Sequence, residues 1–282
     1  VRVEATTGGG GFYGYSATLN LSSSTRTLNL SGNWSFRIAR IDQGTGNLDP
    51  NAYPTLLYNA MIQPLIPYGI RGVLWYQGET NAGRAYEYRT AFPLMITDWR
   101  QHWNQGNFPF YFVQLASFEA SQDWAYLRDA QARALELPDT GMVVTLDIGD
   151  PHNIHPGNKR EVGRRLAQLA LSQAYGLEVG PVRGPVPTLV QAAAGELRVT
   201  YGAQAPLATS DGGADVLGFE VEAADGTLHA ATAPLLPPPV AVQVPFEGEA
   251  RALCYAFSDA PAVNLVNSAR LPAEPFRWPL VS

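Results

Sequence analysis

Cysteine is nearly absent from the 282 residues: Cys254 is the only one. A single thiol excludes an intrachain disulfide and every multi-cysteine zinc site. In the run Ala252-Leu253-Cys254-Tyr255-Ala256-Phe257 it is expected to be a buried strand residue, as free cysteines usually are. Charge is scarce too. Charged residues make up 16% of the chain, the net charge is −6, and Lys and Arg form no cluster. So low a charge, beside 46% hydrophobic residues, argues against disorder. It also leaves no electrostatic footprint for nucleic acid or an anionic membrane surface. No apolar run approaches the ~20 residues that span a bilayer. Neither an initiator methionine nor a signal peptide opens the chain, and Val1-Arg2-Val3-Glu4 alternates like the middle of a strand. The sequence therefore reads as a piece of a longer polypeptide, and the missing leader says nothing about compartment.

What is present suits two domains with a large core, and 27 glycines and 22 prolines suit a loop-rich protein with much β structure. Residues 1–40 read as β. Val1-Arg2-Val3 precedes the Gly8–Gly11 turn, and the runs 17–21, 27–30 and 34–38 alternate. Residues 41–53, rich in Asp, Gly and Asn, read as a linker. From 54 to 177 strands and helices alternate, which predicts an α/β fold with a parallel sheet flanked by helices. Its expected helices begin at Pro54 (with Tyr58, Met61, Ile62 and Leu65 on one face), run through Tyr88–Trp103 despite Pro93, and span Trp124–Leu135 and Pro156–Tyr175, the last ended by Gly176. Its expected strands are Val73–Tyr76, apolar enough to be interior, Phe110–Leu115 and Met142–Leu146. From 178 to 282 short alternating runs, such as 196–200 and 240–244, are separated by proline-rich turns and predict an all-β domain.

In an open α/β sheet, reactive groups gather beyond the carboxyl ends of the strands. Two loops qualify. Gln77-Gly78-Glu79 follows the first strand, and His155 lies in the loop after the third, placed directly before a Pro-initiated helix. His155 has the mounting a general base needs. Gln77 could donate a side-chain N–H to a developing oxyanion. Glu79 could orient an imidazole, hold Gln77 or bridge a loop. The plain structural alternatives are a locally bonded histidine and a helix start capped by Thr80 or Asn81. His152, His155, Asp147 and Asp150 could form a metal cluster, although their spacing is loose for one. His102, on a helix, and His229, in a turn, read as surface residues. The pairs Asp98/Arg100 and Arg128/Asp129 read as ion pairs locking helices to the sheet. A nucleophile is what the loops lack. Ser16 and Ser117 each carry only fragments of a nucleophile-elbow pattern.

Six ordered blocks resemble a known family. They are Leu57–Ile62, Trp75-Tyr76-Gln77-Gly78-Glu79-Thr80-Asn81, Asp98-Trp99-Arg100, Val113–Ala116, Leu127-Arg128-Asp129-Ala130-Gln131, and Asp147-Ile148-Gly149 with Ile154-His155-Pro156-Gly157-Asn158-Lys159. Together they look like the sialate O-acetylesterases of the SGNH/GDSL hydrolase superfamily, close relatives of which deacetylate hemicelluloses. The resemblance implies an SGNH-like parallel sheet at 54–177. It also implies the end of an inserted jelly-roll-like β domain at 1–40 and the family's C-terminal β domain at 178–282. It implies a bacterial-type serine esterase acting on acetylated sugars, secreted to the periplasm or beyond, without metal or organic cofactor. The family's histidine falls on His155 and its Gln-Gly-Glu on Gln77, Gly78 and Glu79. The family's serine sits in a Gly-Gln-Ser-Asn block that this sequence does not contain. It would come from an N-terminal fragment of the same protein, which thus becomes a partner of this chain. Many superfamily members carry Asp three residues before the histidine; here that position is His152, so Glu79, Asp150 or a backbone carbonyl would orient the imidazole. The competing reading is a noncatalytic carbohydrate-binding or structural subunit.

Overall fold

A computed structural model of the chain describes residues 20–29, 55–120, 123–193, 195–202, 206–236 and 241–280. The expected strands at 1–3 and 34–38, the glycine turn, the linker at 41–53 and Ser16 lie outside the described residues. The chain divides into two units, Val1–Met61 and Ile62–Ser282.

In the first unit, β1 (Asn20–Ser22) and β2 (Thr27–Asn29) form an antiparallel hairpin. Ser23 closes its turn: the hydroxyl oxygen accepts from the backbone N–H groups of Thr25 and Arg26. The amphipathic helix expected from Pro54 onward is not formed as such. A π-helical turn, Tyr58–Ile62, gives way to a 3₁₀ turn, Gln63–Leu65, and neither Met61 nor Leu65 is buried. Pro64, which has no backbone N–H to give, stands in the first turn of that 3₁₀ segment.

The second unit opens with a parallel sheet in the order β3 (Val73–Trp75), β4 (Phe110–Val113), β5 (Thr140–Val143). Alternation along β4 sends Phe110 and Phe112 to one face and Tyr111 and Val113 to the other. The first face is covered by α1 (Ala85–Trp103) and α2 (Trp124–Ala132). There Trp75, Phe92, Trp99, Phe110 and Phe112 form an aromatic layer with centroids 5.1–6.4 Å apart. Burying each of its fully enclosed rings contributes about 1.5–3 kcal/mol. The second face carries α3 (Lys159–Gln173), which lays Val162, Leu166 and Leu169 on Tyr111, Val113 and Val143. The approach is close enough that a Cβ on Gly141 would lie 2.9 Å from both Leu169 and Tyr111.

Two expectations need correction here. Strand β3 is not interior: among the described residues it has a neighbour on one side only, and Leu74 is 59% exposed. Helix α3 does not begin at Pro156. It starts at Lys159, capped by Asn158, whose side-chain oxygen accepts from the Glu161 N–H at 3.2 Å. Gly176, with φ +66°, follows its end as anticipated.

The rest is antiparallel. Strands β6 (Pro187–Ala193), β7 (Glu196–Tyr201), β8 (Leu207–Thr209), β9 (Asp215–Ala223), β10 (Leu228–Leu236), β11 (Ala241–Pro245), β12 (Ala250–Tyr255), β13 (Leu265–Asn267) and β14 (Phe276–Pro279) follow in turn. Seven of them form one sheet, β14-β12-β9-β10-β11-β7-β6, while β13 pairs with β8. Alternate residues such as Leu197, Val199, Val216, Phe219, Val221, Val242, Val244 and Leu253 are buried in its core, and Cys254 is buried as expected. His229 lies within β10 rather than in a turn. No described helix is long and apolar enough to cross a membrane.

Candidate active site

Three loops leave the carboxyl ends of β3, β4 and β5, and Gln77, Glu79 and His155 sit on the first and third. Beyond β3 the chain turns at Gly78, whose φ of 150° disfavours a side chain; a Cβ there would stand 3.2 Å from Gln131 Nε2 and 3.3 Å from Leu127 Cδ2. A 3₁₀ turn, Glu79–Arg84, then leads into α1. Neither Thr80 nor Asn81 caps it through its side chain, contrary to expectation. Asn81 is committed elsewhere: its Oδ1 accepts from Gln77 Nε2 at 2.7 Å, while Gln77 Oε1 accepts from the Tyr88 hydroxyl at 3.0 Å. Below them the fully buried Gln131 is satisfied in three directions. It donates to the carbonyls of Gln77 (3.1 Å) and Val113 (3.2 Å) and accepts from the Leu115 N–H (2.9 Å). One amide thereby ties α2 to the ends of β3 and β4.

Beyond β4, Ser117 is buried and its hydroxyl donates to the Leu146 carbonyl at 3.0 Å. Ser117 therefore holds the second loop to the third. The two backbones nearly touch, since a Cβ on Gly149 would lie 2.5 Å from Ser117 N. Thr145 Oγ1 donates to the Gln114 carbonyl, and the Glu119 N–H to the Pro151 carbonyl.

Beyond β5, a 3₁₀ turn, Leu146–Ile148, precedes the loop that carries His155. Arg165, buried on α3, anchors this stretch. Its guanidinium donates to the Val144 carbonyl (2.6 Å), to both oxygens of Asp147 (2.7 and 2.6 Å) and to Glu161 (2.8 Å). The Glu161 carboxyl is held down to about 2, first by its hydrogen bond from Arg164, against the opposing effect of burial, and then by Arg165. Within the loop, Asp150 Oδ1 accepts from the His152 N–H and Asn153 Oδ1 from the His155 N–H, each at 2.9 Å. These side chains set the loop's turns, and the His155 side chain remains exposed. His152 Nδ1 lies 3.4 Å from Glu119. With Asp147 on Arg165, Asp150 on a backbone N–H and His152 beside Glu119, no three metal-ligating side chains converge among the described residues.

Tyr76 spans the gap between the first and third loops. Its ring lies 4.8 Å from Lys159 Nζ, at the start of α3. Its phenol is pushed up by burial and by the Glu79 charge, and eased by a hydrogen bond with Thr145. The Tyr88 phenol is raised to about 12, by burial foremost and by Glu79 in addition. Glu79 thus acts on both tyrosines that flank Gln77.

The ion pairs expected for Arg100 and Arg128 are replaced by bonds to backbone carbonyls. Arg100 donates to the carbonyls of Phe108 and Asp139. Arg128, fully buried, donates to the carbonyls of Ser258 and Asp259 in the antiparallel part of the chain, and burial lowers its pKa to about 10. Asp129 pairs instead with Arg89 (2.8 Å) and Arg133 (3.3 Å). Sequence reasoning missed Tyr88, Arg165 and the role of Gln131. No local pattern marks them, because each is defined by partners 11 to 54 residues away.

With this geometry in place, the class to which the chain is similar is clear. The family model described as "Carbohydrate esterase, sialic acid-specific acetylesterase" matches residues 41–172, which include all three candidate site residues. Among individual proteins, sialate O-acetylesterase of Mus musculus is 36% identical over 171 residues, 52% of this chain and 32% of that protein. Its Homo sapiens counterpart is 32% identical over 176 residues, again 52% of this chain, and 33% of that protein. The chain thus spans about a third of the length of the curated relatives it matches. A crystal structure of a carbohydrate acetylesterase from Xanthomonas citri superposes with a TM-score of 0.76 at 42% identity, covering 80% of this chain and 54% of that one.

Proposed function

We propose that this chain is part of a carbohydrate O-acetylesterase with an SGNH-like sheet, in which His155 is the general base and Gln77 an oxyanion donor. The observation that carries the proposal is that Tyr76, next to Gln77, lies 4.8 Å from Lys159, four residues beyond His155, where the loops leave the carboxyl ends of a parallel sheet. A serine hydroxyl attacks the acetyl carbonyl carbon while His155 takes its proton. Gln77 Nε2–H stabilises the tetrahedral oxyanion, and His155 returns the proton to the departing sugar oxygen. Water then repeats the cycle on the acyl-serine and releases acetate. In this reading Glu79, on the first loop, orients the imidazole; Asp150, with one oxygen on the His152 N–H and the other open among the described residues, is the alternative acid.

The serine is supplied by an N-terminal segment of the same protein. The exposed edge of β3, with Leu74 in water, is where such a segment would add a parallel strand and bring its serine beside Gln77. The relatives' names favour an acetylated sugar as substrate, and a secreted, periplasmic or extracellular setting suits one.

The test is acetate release from O-acetylated sialic acid and from acetylated xylan by the intact polypeptide that carries this sequence. Activity on either is expected to fall by at least ~10³-fold in His155→Ala without loss of folding. Residues 1–282 alone should be inactive. A His155→Ala variant within about tenfold of wild type refutes the assignment. Robust turnover by the isolated chain places the nucleophile inside it. Binding of either sugar without turnover by the intact polypeptide would favour the noncatalytic reading.

A further inference from the structure

An oxyanion donor must present N–H and not C=O to the reacting oxygen, and a glutamine amide has one of each at nearly equal size. Rotating the Gln77 amide by 180° would replace stabilisation of a negative oxygen by repulsion. The surroundings of Gln77 oppose that rotation. Tyr88 donates to Oε1 at 3.0 Å, and Asn81 Oδ1 takes one of the two hydrogens on Nε2 at 2.7 Å, leaving the other for a ligand. A hydroxyl could in principle serve either end of the amide, since it both donates and accepts.

The direction rests on the two bonds together: Tyr88 gives its hydrogen to Oε1 while Asn81 Oδ1, which can only accept, takes one from Nε2. Burial raises the Tyr88 phenol to about 12, so it keeps that hydrogen near neutral pH. The ring itself is fixed independently of the hydroxyl, stacked on Phe92 at 5.2 Å.

We propose that Tyr88 is a positioning residue: with Asn81 at the other end, its hydroxyl fixes the Gln77 amide with Nε2 as the donor end and polarises it toward the oxyanion. The inference rests on Gln77 being the oxyanion donor, as proposed above. Tyr88 does not touch substrate, so its effect must vanish when Gln77 is absent.

A double-mutant cycle on the intact polypeptide, with 4-nitrophenyl acetate as substrate, tests this. Gln77→Ala should lower kcat by about 10²-fold. Tyr88→Phe keeps the stacked ring and should lower kcat about five- to tenfold, the equivalent of one hydrogen bond, with KM within about twofold. In the Gln77→Ala background, Tyr88→Phe should have no further effect. Asn81→Ala, at the other end of the amide, should reproduce the kcat loss and its non-additivity should Tyr88→Phe fold poorly. A Tyr88→Phe loss that persists undiminished without Gln77, or an unchanged kcat in both single variants, overturns the proposal while leaving Gln77 as a donor. An ineffective Gln77→Ala overturns the underlying reading instead, whatever Tyr88 does.

Discussion

Replacing Arg165 with methionine removes one guanidinium and, with it, every bond that holds the start of the His155 loop to α3. The side chain is 4% exposed and engages the Val144 carbonyl, both Asp147 oxygens and Glu161. Breaking a buried charge pair by deleting one partner costs about 3–5 kcal/mol. Here the partners are not equally trapped. Asp147 is 31% and Glu161 22% exposed, and Glu161 keeps Arg164, so both carboxylates recover part of their hydration. The orphaned Val144 carbonyl does not. The expected loss is therefore about 2–3 kcal/mol, below the full range for a sealed pair. For a cooperative unit of roughly 200 residues, each kcal/mol moves Tm by about 2–4 °C, so calorimetry should show a fall of about 4–12 °C. Asp147→Asn keeps one acceptor oxygen and should cost less than half as much. A Tm for Arg165→Met within ~2 °C of wild type would show that the guanidinium is incidental and that the loop is held by its own turns. Ester hydrolysis by the same variant in the intact polypeptide should decline more steeply than the folded fraction, since the loop carrying His155 loses its anchor.

Two further outcomes can be checked on the same protein. Glu161 has its pKa lowered in the fold, so its contribution is present above about pH 4.5 and is lost as pH falls toward 2; a wild-type advantage over Glu161→Gln that stays constant from pH 5 to 2 contradicts this. Leu74→Glu should change the stability of the isolated chain by less than ~0.5 kcal/mol, because Leu74 already faces water, yet destabilise the intact polypeptide by ~2 kcal/mol or more if a strand covers β3; equal effects in urea melts of both forms would mean that no segment docks there.

Local pattern carried much of the parallel sheet. Four consecutive apolar residues in β4 and the four-residue spacing of Tyr88, Phe92 and Ile96 are properties of contiguous sequence, and the structure buries all of them. Strand ends were less legible: β5 ends at Val143, and Thr145 leaves the ladder to bond Gln114. Leu74 looked interior because its neighbours in sequence are apolar, but exposure depends on what lies beside it in space. Arg100 and Arg128 looked like ion-pair members beside acidic neighbours, yet their acceptors are backbone carbonyls as far as 131 residues away. At the candidate site, the loops bearing Gln77, Glu79 and His155 could be placed from strand order alone. Their supports could not. Nothing in the spacing of Tyr88, Gln131 or Arg165 announces which carbonyl or amide each will meet.

Arg128 bears on how this chain could be rearranged. Its guanidinium stands on α2 but finds its acceptors at Ser258 and Asp259, beyond most of the antiparallel strands. The Phe118 N–H leans on the same Asp259 carbonyl, and the Tyr126 ring meets Phe257 edge-on at 5.1 Å. Cutting the gene between the parallel and antiparallel parts would not yield two cassettes. The first product would keep a cation shaped for carbonyls it no longer has, beside the loop that Ser117 and Glu119 stitch to the histidine segment. Recombination among relatives is therefore constrained to carry residues 257–259 together with α2, however far apart the two lie in the reading frame.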